Sequence, residues 1–225
     1  MIKPREGRSH LFPMQQNDCL LSIYEILNAH FGNLHWWPAD SPFEVILGTI
    51  LTQNTAWRNV ENVIIRLKKS DLLSPEGIRK VEDHVLANLI KSSGYYLIKT
   101  KRIKSFINFI YEEYGGDLEI MFAEDLWSLR EKLLKVKGIG EETADSILLY
   151  AGNKPIFVVD TYTKRILMRH NLIHTDATYK EIQRLFMNHL PHSVPLFNQY
   201  HALLVNTGKN FCTVTPQCVG CPLHT

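Results

Sequence analysis

Apolar residues recur at three- and four-residue intervals along most of this chain, and that period confines it to helices packed on helices. Leu20, Ile23, Tyr24 and Leu27 share one helical face, and Val60, Val63, Ile64 and Leu67 repeat the pattern. Ile103, Phe106, Ile107 and Ile110 do so again before the stop at Gly115-Gly116, and Leu126, Leu129, Leu133 and Leu134 mark a further helix. The one strand-like run, Ile156-Phe157-Val158-Val159 between Pro155 and Asp160, is too short to build a sheet alone. The expected class is therefore all-α with short connections. With 225 residues, 45% of them hydrophobic, the chain can bury a core as one large domain or two small ones. No repeat of solenoid length and no low-complexity segment is present.

No apolar stretch of about 20 residues exists to span a bilayer, and Met1–Glu6 lacks the apolar run of a secretory signal, which places the chain in the cytoplasm. A net charge of +2 does not identify a nucleic-acid binder. Its distribution says more: Lys99-Thr100-Lys101-Arg102-Ile103-Lys104 is a basic cluster able to face phosphates, or equally a solvated helix face. Cys19 stands apart, whereas Cys212, Cys218 and Cys221 crowd the last fourteen residues, so a metal site is favoured over a disulfide framework.

The most informative stretch runs from Leu134 to Asp145. One amphipathic helix ends at Gly138 and another starts after Gly140. Glycines on either side of Ile139 allow a sharp turn and close approach of a ligand. The unpaired N–H groups of the second helix then point at a phosphate while Ile139 anchors the loop in the core. Contacts of this kind carry no base-sequence information and suit a protein that scans DNA. A plain tight turn between helices is the alternative. Further along, Val158-Val159-Asp160-Thr161-Tyr162 brings an apolar run to a carboxylate at a helix start, where Asp160 fits an N-cap, a catalytic carboxylate, or both.

The hairpin, its spacing to Val159-Asp160-Thr161, and the earlier Ile50-Leu51-Thr52-Gln53-Asn54-Thr55 together resemble the endonuclease III superfamily of helix-hairpin-helix DNA glycosylases. The resemblance runs from about Trp36 to Cys221 with the motifs in family order. It implies two helical domains with a cleft between them: a six-helix barrel over 34–154 carrying the hairpin, and a second domain made of 1–33 and 155–225 that ends in a cysteine-rich loop. The implied partner is duplex DNA containing a damaged base, bound by a monomer, with Lys137, Gly138, Ile139 and Gly140 on the backbone. The base is everted because its glycosidic bond is unreachable inside the stack. By motif, Gln53 fills the gap left behind and Tyr95, in Ser93-Gly94-Tyr95-Tyr96, is a wedge from the opposite side. Asp160 stabilises positive charge on the sugar or activates a water.

One departure carries chemical weight. Members that also nick the strand have a nucleophilic lysine four residues after the first hairpin glycine, and here that position is Glu142. A carboxylate cannot form a Schiff base, so Asp160 and Glu142 as the two catalytic positions imply a monofunctional glycosylase, with Lys137 the nearest alternative amine. Trp36-Trp37-Pro38 and Trp57 resemble the base pocket of the 3-methyladenine DNA glycosylase branch. An alkylated purine is cationic, and aromatic faces attract it by stacking and cation–π contact. The alternative is that these tryptophans are core residues.

Cys212-x5-Cys218-x2-Cys221 resembles the loop that holds a [4Fe–4S] cluster in endonuclease III. The family's first gap is six residues, and its fourth cysteine would fall just beyond Thr225. A shortened sequence, a non-cysteine ligand such as His224, or loss of the cluster each accounts for this. Competing functions are a mismatch or oxidised-base glycosylase on the same scaffold, a non-catalytic hairpin protein that only grips DNA, and a metal-binding interaction module built on the cysteine tail.

Overall fold

A computed structural model describes residues 16–224 of the chain, with side chains from Cys19 onward. The reading of Met1–Glu6 lies outside the described residues. Those residues form helices α1 (Gln16–Phe31), α2 (Pro42–Leu51), α3 (Trp57–Lys69), α4 (Pro75–Lys80), α5 (Asp83–Leu89), α6 (Tyr96–Tyr114), α7 (Leu118–Ala123), α8 (Leu126–Lys135), α9 (Glu141–Ser146), α10 (Thr161–Arg169), α11 (Tyr179–His189) and α12 (Val194–Asn210). There is no strand among them, as the periodicity requires; Ile156–Val159 is buried but belongs to no helix or strand. Among the described residues no helix is long and apolar enough to cross a membrane.

Helix starts follow local chemistry. The side chains of Ser41, Ser74, Asp117, Asp125, Asp160 and Ser193 each accept a hydrogen bond from a first-turn amide, and Thr178 with Glu181 forms a full capping box. Gly115, at φ +64°, ends α6 in the left-handed conformation that its lack of Cβ permits.

The described residues fall into two units, one spanning Trp37–Val158, the other taking in the chain up to Trp36 and again from Val159. In the first, α2 is apolar on all sides, and Phe43 through Leu51 are all buried, as a helix at the centre of a bundle must be. It packs against α3, α6, α9 and the turn that follows α9. In the second, α12 packs against α1 and α10. The α10–α12 crossing is tight because Gly208 has no side chain: a Cβ there would lie 2.3 Å from Tyr162 Cδ1.

Candidate active site

The hairpin is braced from within. Arg130 of α8 makes a bidentate ion pair with Asp145 of α9, Nε to Oδ1 at 2.6 Å and Nη2 to Oδ2 at 3.0 Å, with both residues buried. Ile139 is buried, as its anchoring role requires, while Lys137, Gly140 and Glu142 are exposed. The two glycines answer different demands. Gly138 sits at φ +93°, and a Cβ would fall 2.3 Å from Arg102 Cγ, so the protein's own packing excludes any side chain. Gly140 is extended (φ −96°, ψ −178°), and a Cβ there would meet nothing within 4 Å. It stands at the start of α9, whose first amides have no intrahelical partner. α9 continues directly into a five-residue π-helical turn, Ile147–Ala151, a distortion common at functional sites.

Gln53, in the turn after α2, is docked on this hairpin. Its Nε2 donates to Gly138 O (3.1 Å) and Thr143 Oγ1 (2.9 Å), and its Oε1 accepts from Arg102 Nη1. Filling a gap in DNA therefore requires Gln53 to exchange these bonds for bonds to a base. Tyr95 sits at φ +46° just before α6 and is 67% exposed, and Leu97 and Ile98 beside it are 61% and 50% exposed. Leu97 and Ile98 thus join Tyr95 as exposed apolar side chains, and a run of four apolar residues gives no sign of which face water.

The basic run behind that tip corrects the sequence reading. Lys99 is 1% exposed and turned inward, Arg102 is committed to Gln53, and Lys104 bonds Val81 O and lies 3.5 Å from Asp83. Only Lys101 is exposed. The helix period explains the loss: residues 99 and 103 share the core-facing side, so charge adjacent in sequence is not adjacent on the surface.

Of the aromatic segment, Trp37 and Trp57 meet edge to face, ring centroids 5.0 Å apart, and Tyr150 of the π turn lies 5.5 Å from Trp37. Trp37 also rests on α2 where Gly48 leaves room, so it packs the core and keeps part of its surface accessible. Pro38 is exposed. Trp36 belongs to the other unit, where Lys209 Nζ is 5.9 Å from its ring centroid. Tyr150 takes the third place, which the sequence did not signal because its position reads as ordinary helix.

Asp160 caps α10. Its Oδ1 accepts from the Thr163 amide at 2.7 Å, which fixes the carboxylate, and its side chain is only 11% exposed. Oδ2 accepts no hydrogen bond among the described residues; His201 Nε2 lies 3.7 Å from it, on α12. Burial holds the His201 pKa below its ordinary value against the opposing pull of Asp160, and Lys209 adds to the lowering. Burial thus favours the neutral form of the imidazole beside Asp160. No motif announces His201; it arrives through the close α10–α12 crossing.

Cys212, Cys218 and Cys221 line one cavity of about 380 Å³ together with His224, His170 and Arg169. Arg169 Nη1 donates to Cys212 Sγ at 3.2 Å. Burial holds the Cys221 thiol above its ordinary pKa, and like charge from Cys218 and Cys212 acts in the same direction. Among the described residues no three His, Cys, Asp or Glu side chains are gathered for a single ion. Cys19 is separate, a core thiol that burial pushes up to about 11.

With this geometry in hand, comparison with known proteins is informative. A family model described as HhH-GPD superfamily base excision DNA repair protein matches residues 47–192. A Methanocaldococcus jannaschii protein named as a candidate DNA repair glycosylase is 43% identical, covering 93% of this chain and 97% of its own. Endonuclease III of Thermotoga maritima is 30% identical over 80% of this chain and 79% of its own. The crystal structure of H. pylori 3-methyladenine DNA glycosylase bound to 1,N6-ethenoadenine superposes with a TM-score of 0.74 at 28% identity, covering 87% of this chain and 98% of that one.

Proposed function

Because the chain belongs to the HhH-GPD superfamily of base excision DNA repair proteins, we propose that it is a monofunctional DNA glycosylase that hydrolyses the bond between an alkylated purine and its sugar. The observation that carries this reading is the state of Asp160: one oxygen held by the Thr163 amide, the other uncommitted, beside a neutral His201. A fixed, undischarged carboxylate is what a developing oxocarbenium ion requires, and an everted nucleotide brings that charge to it.

Two features support the narrower assignment. Glu142, on the exposed first turn of α9, supplies no amine for Schiff-base chemistry, which favours base release without strand cleavage. The Trp37–Trp57–Tyr150 trio offers π faces suited to a cationic purine, and the H. pylori relative is named for 3-methyladenine. Identity to endonuclease III keeps a mismatch or oxidised-base substrate as the second reading.

A [4Fe–4S] cluster, if carried, would be held by Cys212, Cys218 and Cys221 with His224 as the remaining donor in the same cavity. Such a group supplies one-electron redox capacity and ties the cysteine loop to α10 and α12.

The deciding assay incubates the full chain with duplexes bearing single defined lesions, scoring free base and strand breaks separately and adding borohydride to trap any imine. Released methylated adenine with intact strands and no trapped complex supports the proposal. Release of thymine or an oxidised pyrimidine moves the chain to the second reading, and a trapped complex contradicts the monofunctional assignment.

A further inference from the structure

Lys99 is the most deeply buried charged group near the DNA-probing turns, and among the described residues no carboxylate pairs with it. Its Nζ donates to Leu51 O at 2.7 Å, Thr55 Oγ1 at 2.8 Å and Ser93 O at 2.6 Å. Three acceptors match the three protons of an ammonium group. Burying such a charge is costly, and a lysine at this helix position could have been replaced by leucine were the need only to fill space. The choice of acceptors is informative. Leu51 ends α2, two residues before Gln53; Thr55 closes the Gln53 turn; Ser93 precedes Gly94 and Tyr95. Thr55 Oγ1 in turn donates to Ser93 O.

Both turns need holding. Asn54 and Tyr95 each occupy the left-handed region, at φ +53° and φ +46°, which a side chain adopts only when its surroundings enforce it. One helical turn beyond Lys99, Arg102 bonds Gln53 Oε1 and fills the space over Gly138. α6 thus joins the Gln53 turn, the Tyr95 turn and the hairpin through two cationic side chains on one face.

We propose that Lys99 is a positioning residue that fixes the Gln53 and Tyr95 turns to one another, so that gap-filler and wedge enter DNA as a single unit. This rests on the glycosylase reading for its consequence, though not for the coupling itself. Lys99 touches no substrate; its effect passes through the two turns.

The test uses Lys99→Met, which keeps the stem and removes the charge, and Thr55→Val, which keeps Lys99 and removes one of its acceptors. Hydrogen exchange is followed at residues 52–56 and 90–96, in the free protein, so the coupling is measured whether or not any lesion is cut. Protection is expected to fall in both turns together in either variant, with the hairpin amides unchanged. On lesion duplexes, fluorescence of 2-aminopurine beside the lesion should show reduced eversion. Single-turnover excision should slow on the order of 10- to 100-fold, as expected of a misplaced catalytic geometry. Affinity for undamaged duplex should stay close to wild type. Loss of protection confined to 90–96, or wild-type exchange and eversion in a folded Lys99→Met protein, overturns the proposal; if Lys99→Met does not fold, Thr55→Val decides by the same measurements. A wild-type protein that excises nothing while the turns remain coupled counts against the glycosylase reading alone.

Discussion

His201 Nε2 lies 3.7 Å from Asp160 Oδ2, with both side chains largely withdrawn from solvent. A protonated histidine at that distance would form an ion pair and cancel the charge that the proposed chemistry needs. Burial keeps the ring neutral, and the contact instead gives Asp160 a rigid wall.

Asp160 has two duties that one substitution separates. Asparagine caps a helix about as well as aspartate, so Asp160→Asn should leave unfolding free energy within about 0.5 kcal/mol of wild type. Excision should fall on the order of 100-fold or more, because the charge that stabilises the transition state is gone. Asp160→Ala loses the cap as well and should cost about 1 kcal/mol. Near-normal turnover by Asp160→Asn removes this residue from the mechanism.

The lowered His201 pKa carries a stability signature. As pH falls below about 6.5, the ordinary histidine value, the unfolded chain takes up a proton that the folded chain resists. The unfolded state then binds more protons, so stability should rise with pH through this window and be lost as pH falls through the folded value. His201→Gln removes that contribution, and its Tm should vary less than wild type between pH 7 and pH 5. Parallel Tm profiles for the two proteins contradict the assignment of a neutral buried imidazole.

The hairpin glycines should respond oppositely to alanine. Gly138→Ala meets both a left-handed backbone and Arg102 Cγ, and should destabilise by about 1–3 kcal/mol. Gly140→Ala meets neither and should change stability by no more than about 0.5 kcal/mol. Its effect should fall on DNA affinity, measured on undamaged duplex by fluorescence anisotropy. Unchanged affinity in Gly140→Ala places the phosphate elsewhere.

Iron decides the cysteine loop. Protein purified without oxygen should contain iron and absorb near 400 nm, roughly where thiolate-bound iron absorbs, and Cys218→Ser should lose both. His224→Ala should alter the paramagnetic resonance of the reduced cluster if His224 is a ligand, whereas an iron-free wild-type protein leaves only a vestigial loop.

Much of this molecule was legible in order. The period of apolar residues specified helices α1, α3, α6 and α8 with their buried faces, because a single repeating stripe suffices to define which side of a helix leaves water. The paired glycines, the N-cap at Asp160 and the clustered cysteines were likewise readable, since each is a short-range pattern whose chemistry does not depend on distant residues.

Only tertiary structure decided the rest. Lys99 reads as part of a surface charge run but is the buried tie between two turns; Trp36 and Trp37, adjacent in sequence, go to different units; and Tyr150 and His201 join sites that no motif connects to them. Lys99, Tyr150 and His201 share one reason. A helix sends neighbouring residues to different faces, and which face meets which partner depends on how closely the helices cross, a distance set here by absent side chains such as that of Gly208.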